Sequence, residues 1–187
     1  MMEIMSSAVV AMLAGTHRRV RSIDPCGFLF HRGDRVTDCF VVISGRVELV
    51  RQHANGSMIV VQRAGPGAIL AEASIYSASY HCDAIAATAA TVAVYPSRAV
   101  RDRLRSDAAF GEAWAIHLAD EVRNARARGE LLSLRTVRAR LEAWMSLHDS
   151  GLPAKGEWKS VAQQIGVSPE ALYREIARRR SNREGSL

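Results

Sequence analysis

The sequence predicts an α+β protein with an N-terminal antiparallel, jelly-roll-like β-roll, a long helix and a small C-terminal helix-turn-helix domain. Three observations support this: short apolar runs between turn residues over 28–95, a helical periodicity from Pro96 to about His148, and a two-helix pattern over 160–180. Many short strands without helices between them are typical of antiparallel sandwiches and barrels. The predicted divisions are 1–96 for the β-roll, 97–134 for the long helix and hinge, and 135–187 for the C-terminal domain.

Composition narrows the class of protein. The 187 residues suffice for two small domains, and 25 Lys+Arg against 19 Asp+Glu give a net charge of +6, which suits a polyanionic partner among others. No apolar run approaches the roughly 20 residues of a membrane span, and the N-terminus lacks a basic signal region. We therefore expect a cytoplasmic protein with no membrane partner. Three cysteines without a CxxC pair argue against a disulfide framework.

The β-roll region begins after a predicted helix over 3–14 and a basic link, THRRVR. The predicted strands are short runs rich in Val, Ile, Phe and Thr: FLFH, CFVVI, VELV, MIVVQ, AILA, CDAIAA and TVAVY. The segments between them, HRGD, ISGRV, HANGS and RAGPGA, carry the Gly, Asn and Pro of chain reversals. Asn55-Gly56 is the strongest hairpin signal.

The helical region carries one apolar stripe at spacings of three and four residues, formed by Trp114, Leu118, Val122, Ala125, Gly129 and Leu132. The stripe either packs on the β-roll of the same chain or forms a two-helix seam between protomers. Flanking Arg and Glu residues, as in coiled coils, favour the seam. Gly129 marks a potential break in the helix. Val137, Leu141 and Trp144 continue an apolar face into a second helix, which ends at a loop over 148–157.

The C-terminal segment SVAQQIGVSPEALYREIARRR predicts two short helices. The first buries Val161, Ala162 and Ile165, and Gly166 supplies the tight turn. Ser168 is a good N-cap with Pro169 at the first helical position. Leu172 and Ile176 then face the first helix. This is a helix-turn-helix pattern, whose second helix enters the DNA major groove.

The second helix of this pair has a polar face suited to DNA. Glu170, Tyr173 and Arg174 project away from the apolar side, and Arg178 follows with further arginines. Glu can accept from cytosine, Arg can donate twice to guanine, and the trailing arginines suit phosphates. The alternative is a solvated charged face on an ordinary helical hairpin.

The order of these parts resembles the Crp/Fnr family of bacterial transcription regulators, over residues 20–180. The segments that carry the resemblance are FLFHRGD, VVISGRVEL, the NGS turn, PGAILAEASIY and SPEALYREI. The resemblance implies a homodimer paired along the long helix, an effector sensed in the β-roll, double-stranded DNA as a partner, and RNA polymerase as a candidate further partner. Glu170 and Arg174 stand at base-contacting positions of the family, while Pro169 replaces a common Arg or Ser. The wing that usually follows the recognition helix is expected to be short or missing.

The resemblance also predicts that the effector is not cAMP or cGMP. In nucleotide-binding members a Glu, matched here by Glu72, contacts ribose, and an Arg and a Ser or Thr hold the cyclic phosphate. Tyr80 and His81 occupy the latter two places. A cyclic phosphate bound there would leave its charge largely unpaired, at a cost of several kcal/mol.

The cysteines are candidate sensing residues. Cys26, Cys39 and Cys82 lie near predicted strand ends, and Cys82 adjoins His81. If they converge, thiolates and imidazole suit Cu(I) or Zn(II), and a thiolate beside His is prone to oxidation. The alternatives are cysteines that act as small buried hydrophobes and a haem site. No cysteine cluster lies near the N-terminus, so an iron-sulfur cluster is not expected.

The leading hypothesis is a homodimeric DNA-binding regulator and not an enzyme. Its effector would shift the long helices or a hinge near 129–136, so that the two recognition helices match major grooves about 34 Å apart. One alternative is a cupin-like metal enzyme, although the sequence has no His-x-His pair. The other is an interaction module of the same fold that does not read DNA.

Overall fold

The computed structural model describes residues 2–52, 58–148, 151–152 and 154–184, with side chains over 8–52, 59–148, 151–152 and 154–180. The predicted Asn55-Gly56 hairpin turn lies outside the described residues. The chain divides into two compact units, Met1–Leu118 and Ala119–Leu187, called here the N-terminal unit and the C-terminal unit. Helix α3 contributes residues to both.

The N-terminal unit contains eight strands in two four-stranded sheets. The strands are β1 (Arg19–Ile23), β2 (Phe28–Phe30), β3 (Asp38–Ser44), β4 (Val47–Gln52), β5 (Met58–Ala64), β6 (Ile69–Leu70), β7 (Asp83–Ala86) and β8 (Ala90–Pro96). One sheet has the order β1-β8-β3-β6 and the other β2-β7-β4-β5, and every pairing within them is antiparallel. All seven predicted strands are therefore confirmed.

Strand β1 corrects the sequence prediction, which treated THRRVR as a solvated basic link. Arg19 to Ile23 pair with β8 along their whole length. Of the five residues only Ile23 is buried, because β1 lies at the sheet edge and contributes a single side chain to the core. Such a strand has no alternating apolar pattern for the sequence to display.

Strand β3 explains why the first sheet has buried side chains on both faces. Phe40 and Val42 point into the roll interior together with residues of the second sheet. Cys39 and Val41 point the other way, into a second core formed with α1, α2 and the start of α3. The run CFVVI is therefore continuously apolar, as expected for a strand covered on both sides. In the turn after β3, Gly45 has φ +79°, and an added Cβ would lie 2.1 Å from the Ala89 carbonyl oxygen.

The described residues also form six α-helices: α1 (Met2–Leu13), α2 (Ser97–Ser106), α3 (Ala108–Ser133), α4 (Val137–Leu147), α5 (Trp158–Gln164) and α6 (Pro169–Glu184). The predicted helical stretch from Pro96 to His148 is thus three helices, and Gly129 lies inside α3 and does not break it. The first break falls at Asp107, whose carboxylate accepts from the Phe110 amide at 3.0 Å. This N-cap also lowers the pKa of Asp107, together with the Arg103 guanidinium.

The apolar stripe on α3 has two parts. Trp114 is buried, and it packs with the half-buried Leu118 against the core outside the roll. Val122 is 48% exposed, and Ala125 and Gly129 are also exposed. The first part of the stripe therefore packs on the β-roll of the same chain, which was one of the two interpretations of the sequence. The second part is exposed.

The C-terminal unit is built as the sequence predicts. Leu141 and Trp144 of α4 pack with five residues of α5, the turn and α6: Val161, Ala162, Ile165, Leu172 and Ile176. Gly166 takes φ +65° in the turn, a conformation that favours glycine. Ser168 caps α6 by accepting from the Ala171 amide at 3.2 Å. Throughout the described part of the chain, no helix has the length and apolar character needed to cross a membrane.

Candidate nucleic-acid interface and roll interior

The first turns of α6 present two opposite charges to solvent. Glu170 and Arg174 are both exposed and one helical turn apart, on the side away from Leu172 and Ile176. Hydrogen bonds from its own amide and from the Ser168 hydroxyl lower the pKa of Glu170, and the charge of Arg174 adds to this. A carboxylate acceptor and a guanidinium donor therefore stand at the N-terminal end of the helix, where a recognition helix contacts bases.

Tyr173 is less available than the sequence suggests. It is half-buried, and its ring lies 5.2 Å from the Trp158 ring, centroid to centroid. The Arg180 guanidinium lies 5.4 Å from the same Trp158 centroid. Trp158 thus orders two α6 side chains by aromatic and cation–π contact. Pro169 is half-buried at the start of the helix.

Arg178, expected to suit a phosphate, is engaged within the protein. Its guanidinium donates twice to the Glu175 carboxylate, at 3.0 and 2.8 Å. Arg179 also donates to Glu175 and continues to Glu142 of α4. Glu175 is only 9% exposed, and these arginines lower its pKa. The sequence interpretation missed this network because Glu175 lies among charged residues and gives no signal of its burial.

In the β-roll, Tyr80 fills the interior. It is 4% exposed, and its ring stacks on Phe30 at a centroid distance of 3.9 Å. Its hydroxyl donates to the Asp38 carbonyl at 2.8 Å and accepts from the Asp38 amide at 3.2 Å. Burial raises the pKa of Tyr80, so the phenol is neutral. The place that the resemblance assigns to a cationic Arg therefore holds an uncharged ring with its polar atom already paired.

His81 lies on the opposite side of the chain from Tyr80. It is exposed, and its Nδ1 is 2.8 Å from the hydroxyl of the buried Ser74. Ser74 ends a short 3₁₀ turn, Glu72–Ser74, in which Glu72 is buried. The three predicted effector-pocket residues therefore differ in setting: Glu72 and Tyr80 are buried, whereas His81 reaches the surface.

The three cysteines do not gather at one place. Cys26 is exposed in a turn, Cys82 lies in the roll interior, and Cys39 lies in the core on the outer face of the sheet. Cys39 donates to the Leu70 carbonyl at 3.3 Å. Burial raises the pKa of Cys39 and of Cys82, which keeps both as neutral thiols. Over the described residues no group of three His, Cys, Asp or Glu side chains is placed to hold a metal ion. The geometry therefore does not bring Cys26, Cys39, His81 and Cys82 together as a metal site.

The comparisons with known proteins agree with this architecture. Residues 20–107 match the family model described as the cyclic nucleotide-binding domain. No curated protein matches the sequence significantly.

The solved structures that cover most of this chain include the following three. FixK2 from Bradyrhizobium japonicum has a TM-score of 0.71 at 16% identity, covering 89% of this chain and 86% of its own. A CRP-family transcriptional regulator from Thermus thermophilus has a TM-score of 0.62 at 22% identity, with coverage of 88% and 85%. A putative cAMP-binding regulatory protein from Silicibacter pomeroyi is 27% identical at a TM-score of 0.59, with coverage of 91% and 78%.

These matches show the class of protein, in which an N-terminal, cyclic nucleotide-binding-like β-roll is followed by helices. More narrowly, the chain has the fold of the Crp/Fnr transcription regulators, a family whose members bind DNA and form homodimers. The resemblance drawn from the sequence is thereby confirmed.

Proposed function

We propose that this chain is a homodimeric, DNA-binding transcription regulator of the cytoplasm whose β-roll responds to an effector other than cAMP or cGMP. The observation that carries the DNA-binding part is the exposure of Glu170 and Arg174 at the N-terminal end of a Ser-capped second helix. In Crp/Fnr regulators these positions contact base pairs. Arg174 would donate to a guanine edge and Glu170 would accept from a cytosine amino group.

The remaining DNA contacts follow from the same surface. Ser168 is exposed at the start of α6, where a hydroxyl suits a phosphate oxygen. Tyr173 and Arg180, both in contact with Trp158, are further candidates for DNA contacts on the same helix. Arg178 is held by Glu175 and is left out of the proposed contacts. RNA polymerase as a further partner rests on the family resemblance alone.

The uncovered part of α3 supports pairing of two protomers. Val122, Ala125 and Gly129 form an exposed apolar and small-residue surface on a helix whose earlier turns pack on the N-terminal unit. Small residues let two helix backbones approach closely, and the heptad-like spacing suits a two-stranded coiled coil. Two such chains would present two recognition helices to successive major grooves.

The roll interior argues against a cyclic phosphate. Tyr80 stacks on Phe30 and satisfies its hydroxyl on the Asp38 main chain, so it offers neither the charge nor the donors that a buried anion needs. The proposal does not extend to metal or redox sensing, because the cysteines lie in three different environments and the two buried thiols are neutral. Calorimetric titration with cAMP and cGMP should show no binding, and micromolar affinity would overturn this part.

The DNA-binding part is tested by selecting duplexes from a random pool at low salt and measuring their affinity. Arg174→Ala should cost about 1 to 3 kcal/mol and relax the base preference at one position of each half-site. Arg98→Ala is the matched control, because Arg98 is an exposed arginine on α2 whose removal changes the net charge equally. If the unaltered protein shifts no duplex at low salt, the interaction-module alternative replaces the regulator.

The dimer part is tested by sedimentation equilibrium of two matched variants. Val122 and Ile59 are each 48% exposed, the first on the α3 surface and the second on β5. Val122→Glu places a charge in the proposed seam and should shift the protein to monomers, whereas Ile59→Glu should leave the dimer intact. A monomer in the unaltered protein, or equal effects of both variants, would exclude pairing along α3.

A further inference from the structure

The middle of α6 carries four arginines within residues 174–180, and one carboxylate, Glu175, lies among them. Arg174 and Arg178 are both exposed and four residues apart, so they lie on the same side of the helix as Glu170. Glu175 is only 9% exposed. How much positive charge this side of α6 presents therefore depends on which arginines Glu175 binds.

Glu175 binds two of the four arginines through its single carboxylate. Arg178 donates to it through Nε at 3.0 Å and through one Nη at 2.8 Å. Arg179 donates to it through Nε at 2.8 Å. The acid precedes its partners by three and four residues, the spacings at which helical side chains meet. The charge of Arg178 is thus neutralised by a residue of its own helix.

The two arginines differ in what else holds them. The Arg179 side chain is 19% exposed, and it also donates to Glu142 at 2.9 Å and to the Arg138 carbonyl at 3.1 Å. The Arg178 side chain is 47% exposed, and its hydrogen bonds within the described residues are to Glu175 alone. Loss of the Glu175 charge would therefore leave Arg179 bound to α4 and release Arg178 toward solvent.

A released arginine on a DNA-binding helix has a definite consequence. Each Lys or Arg that neutralises a phosphate displaces counterions and adds affinity for every sequence alike, so binding becomes stronger and more sensitive to salt. A phosphate that took Arg178 from the intact protein would leave the buried Glu175 carboxylate with one partner fewer, which is unfavourable for a buried charge. The ion pair therefore opposes a phosphate contact by Arg178.

We infer that Glu175 restrains DNA binding: its carboxylate withholds Arg178 from phosphates and so limits the affinity that is independent of sequence. The inference rests on the proposed function, because it concerns how α6 meets DNA. Glu175 makes no DNA contact in this scheme, and it is a positioning residue that acts through Arg178. The base preference is set separately, by Glu170 and Arg174.

The test measures the affinity of Glu175→Gln and Glu112→Gln for a selected duplex and a shuffled one, over a series of salt concentrations. Gln keeps the size of Glu175 and removes its charge. Glu112 is an exposed acid on α3, so the control changes the net charge equally. Glu175→Gln should bind both duplexes roughly 5- to 10-fold more tightly at low salt, with the salt slope steeper by about 1 for each bound helix. Glu112→Gln should leave the slope unchanged.

The double variant Glu175→Gln/Arg178→Gln shows whether the effect passes through Arg178. It should return affinity and slope to those of the unaltered protein, because the released charge is no longer there. A merely structural role of Glu175 would act differently, since a destabilised helix pair would bind both duplexes more weakly without a steeper slope. An unchanged slope in Glu175→Gln, or a double variant that keeps the steeper slope, would overturn the inference.

A second pair of variants retains Glu175 and covers the case in which Glu175→Gln does not fold. Ala177 is exposed beside Arg178, and residues two apart on a helix do not face each other, so an arginine there would not meet Glu175. Ala177→Arg should steepen the slope by about 1, whereas Arg178→Gln should leave it unchanged. If Ala177→Arg has no effect, this turn of α6 does not reach phosphates and the inference is wrong. A shallower slope in Arg178→Gln would equally refute it.

The results separate this inference from the proposed function. A protein that prefers a selected duplex, but in which Glu175→Gln and Glu112→Gln behave alike, would keep the regulator and refute the role of Glu175. A protein that prefers no duplex would refute the regulator. Elution from heparin, a polyanion without bases, then measures the released charge directly. Glu175→Gln should elute at higher salt than Glu112→Gln, and equal elution would refute the role of Glu175 as well.

Discussion

The interior of the β-roll and the exposed face of α6 use their polar side chains in opposite ways. In the roll, the Tyr80 hydroxyl makes its hydrogen bonds with the Asp38 main chain, and the Tyr80 ring stacks on Phe30. On α6, Glu170 and Arg174 extend into solvent with opposite charges. A side chain whose hydrogen bonds are made within the fold has little left to offer a ligand, whereas an exposed charge is still accessible to one.

The start of α6 thus presents exposed charges, whereas the roll interior is filled by Tyr80 and its hydrophobic neighbours. We therefore expect changes in the roll interior to alter folding of the N-terminal unit, and changes on the α6 face to alter binding alone.

The largest effect should come from Tyr80→Ala. Removing a buried aromatic ring leaves a cavity, so the variant should lose about 3 to 5 kcal/mol of unfolding free energy. Trp114 is the one tryptophan of the N-terminal unit, and its fluorescence during urea denaturation reports that unit. Tyr76→Ala is the matched control, because Tyr76 is 69% exposed. Equal effects of the two variants would show that Tyr80 is not part of the core, and the roll would be open to a ligand.

The corresponding change in the C-terminal unit is Leu172→Ala. Leu172 is completely buried between α5 and α6, and its truncation should cost about 2 to 5 kcal/mol. Urea denaturation followed by Trp144 and Trp158 fluorescence should show the loss, with DNA affinity falling in parallel. The transition reported by Trp114 should stay in place. A shift of both transitions would mean that the two units unfold together, and the comparison between them would no longer hold for stability.

A third test uses the buried thiols. Burial raises the pKa of Cys39 in the folded state, whereas in the unfolded chain the thiol ionises near pH 8.5. The stabilising contribution is therefore complete below about pH 8.5 and is lost as the pH rises above that value, by roughly 1.4 kcal/mol for each pH unit. Urea denaturation at pH 7 to 10 measures this slope, which Cys39→Ala should reduce and Cys26→Ala should leave unchanged. A flat profile in the unaltered protein would place Cys39 in contact with water.

Much of the architecture could be predicted because its determinants are local. The seven apolar runs, the Ser168-Pro169 helix start and the Leu172/Ile176 face all appear as residue patterns, and the structure confirms each of them. Strand β1 was not predicted, because only Ile23 is buried and the rest of the strand is stabilised by pairing with β8. The helix break at Asp107 was not predicted, because in the sequence an N-cap Asp within a helical stretch looks the same as an exposed acidic residue.

The site residues illustrate the same limit. The positions of Glu170 and Arg174 followed from helical periodicity, which gives a residue's face. The stacking of Tyr80 on Phe30 and the contact of Arg179 with Glu142 depend on partners far away in sequence, and periodicity carries no information about them. The cysteines are the clearest case, because their positions near strand ends were compatible with one shared site. In the structure Cys39, on β3, points into the core outside the roll, whereas Cys82, just before β7, points into the roll interior.

The smallest expected effect concerns Arg178, for which sequence and structure give different roles. Removal of a phosphate-binding arginine reduces the magnitude of the slope of log affinity against log salt by about 1. In the structure Nε and one Nη of Arg178 donate to Glu175, and this pair raises the pKa of Arg178. Arg178→Gln should therefore leave the salt slope unchanged and have little effect on stability, since the pair is partly solvated. Salt titrations of DNA binding for Arg178→Gln and Arg174→Gln measure this directly. A slope lower by about 1 in Arg178→Gln would show that DNA draws the arginine away from Glu175, and that the charged face of α6 extends one turn further than the unbound structure indicates.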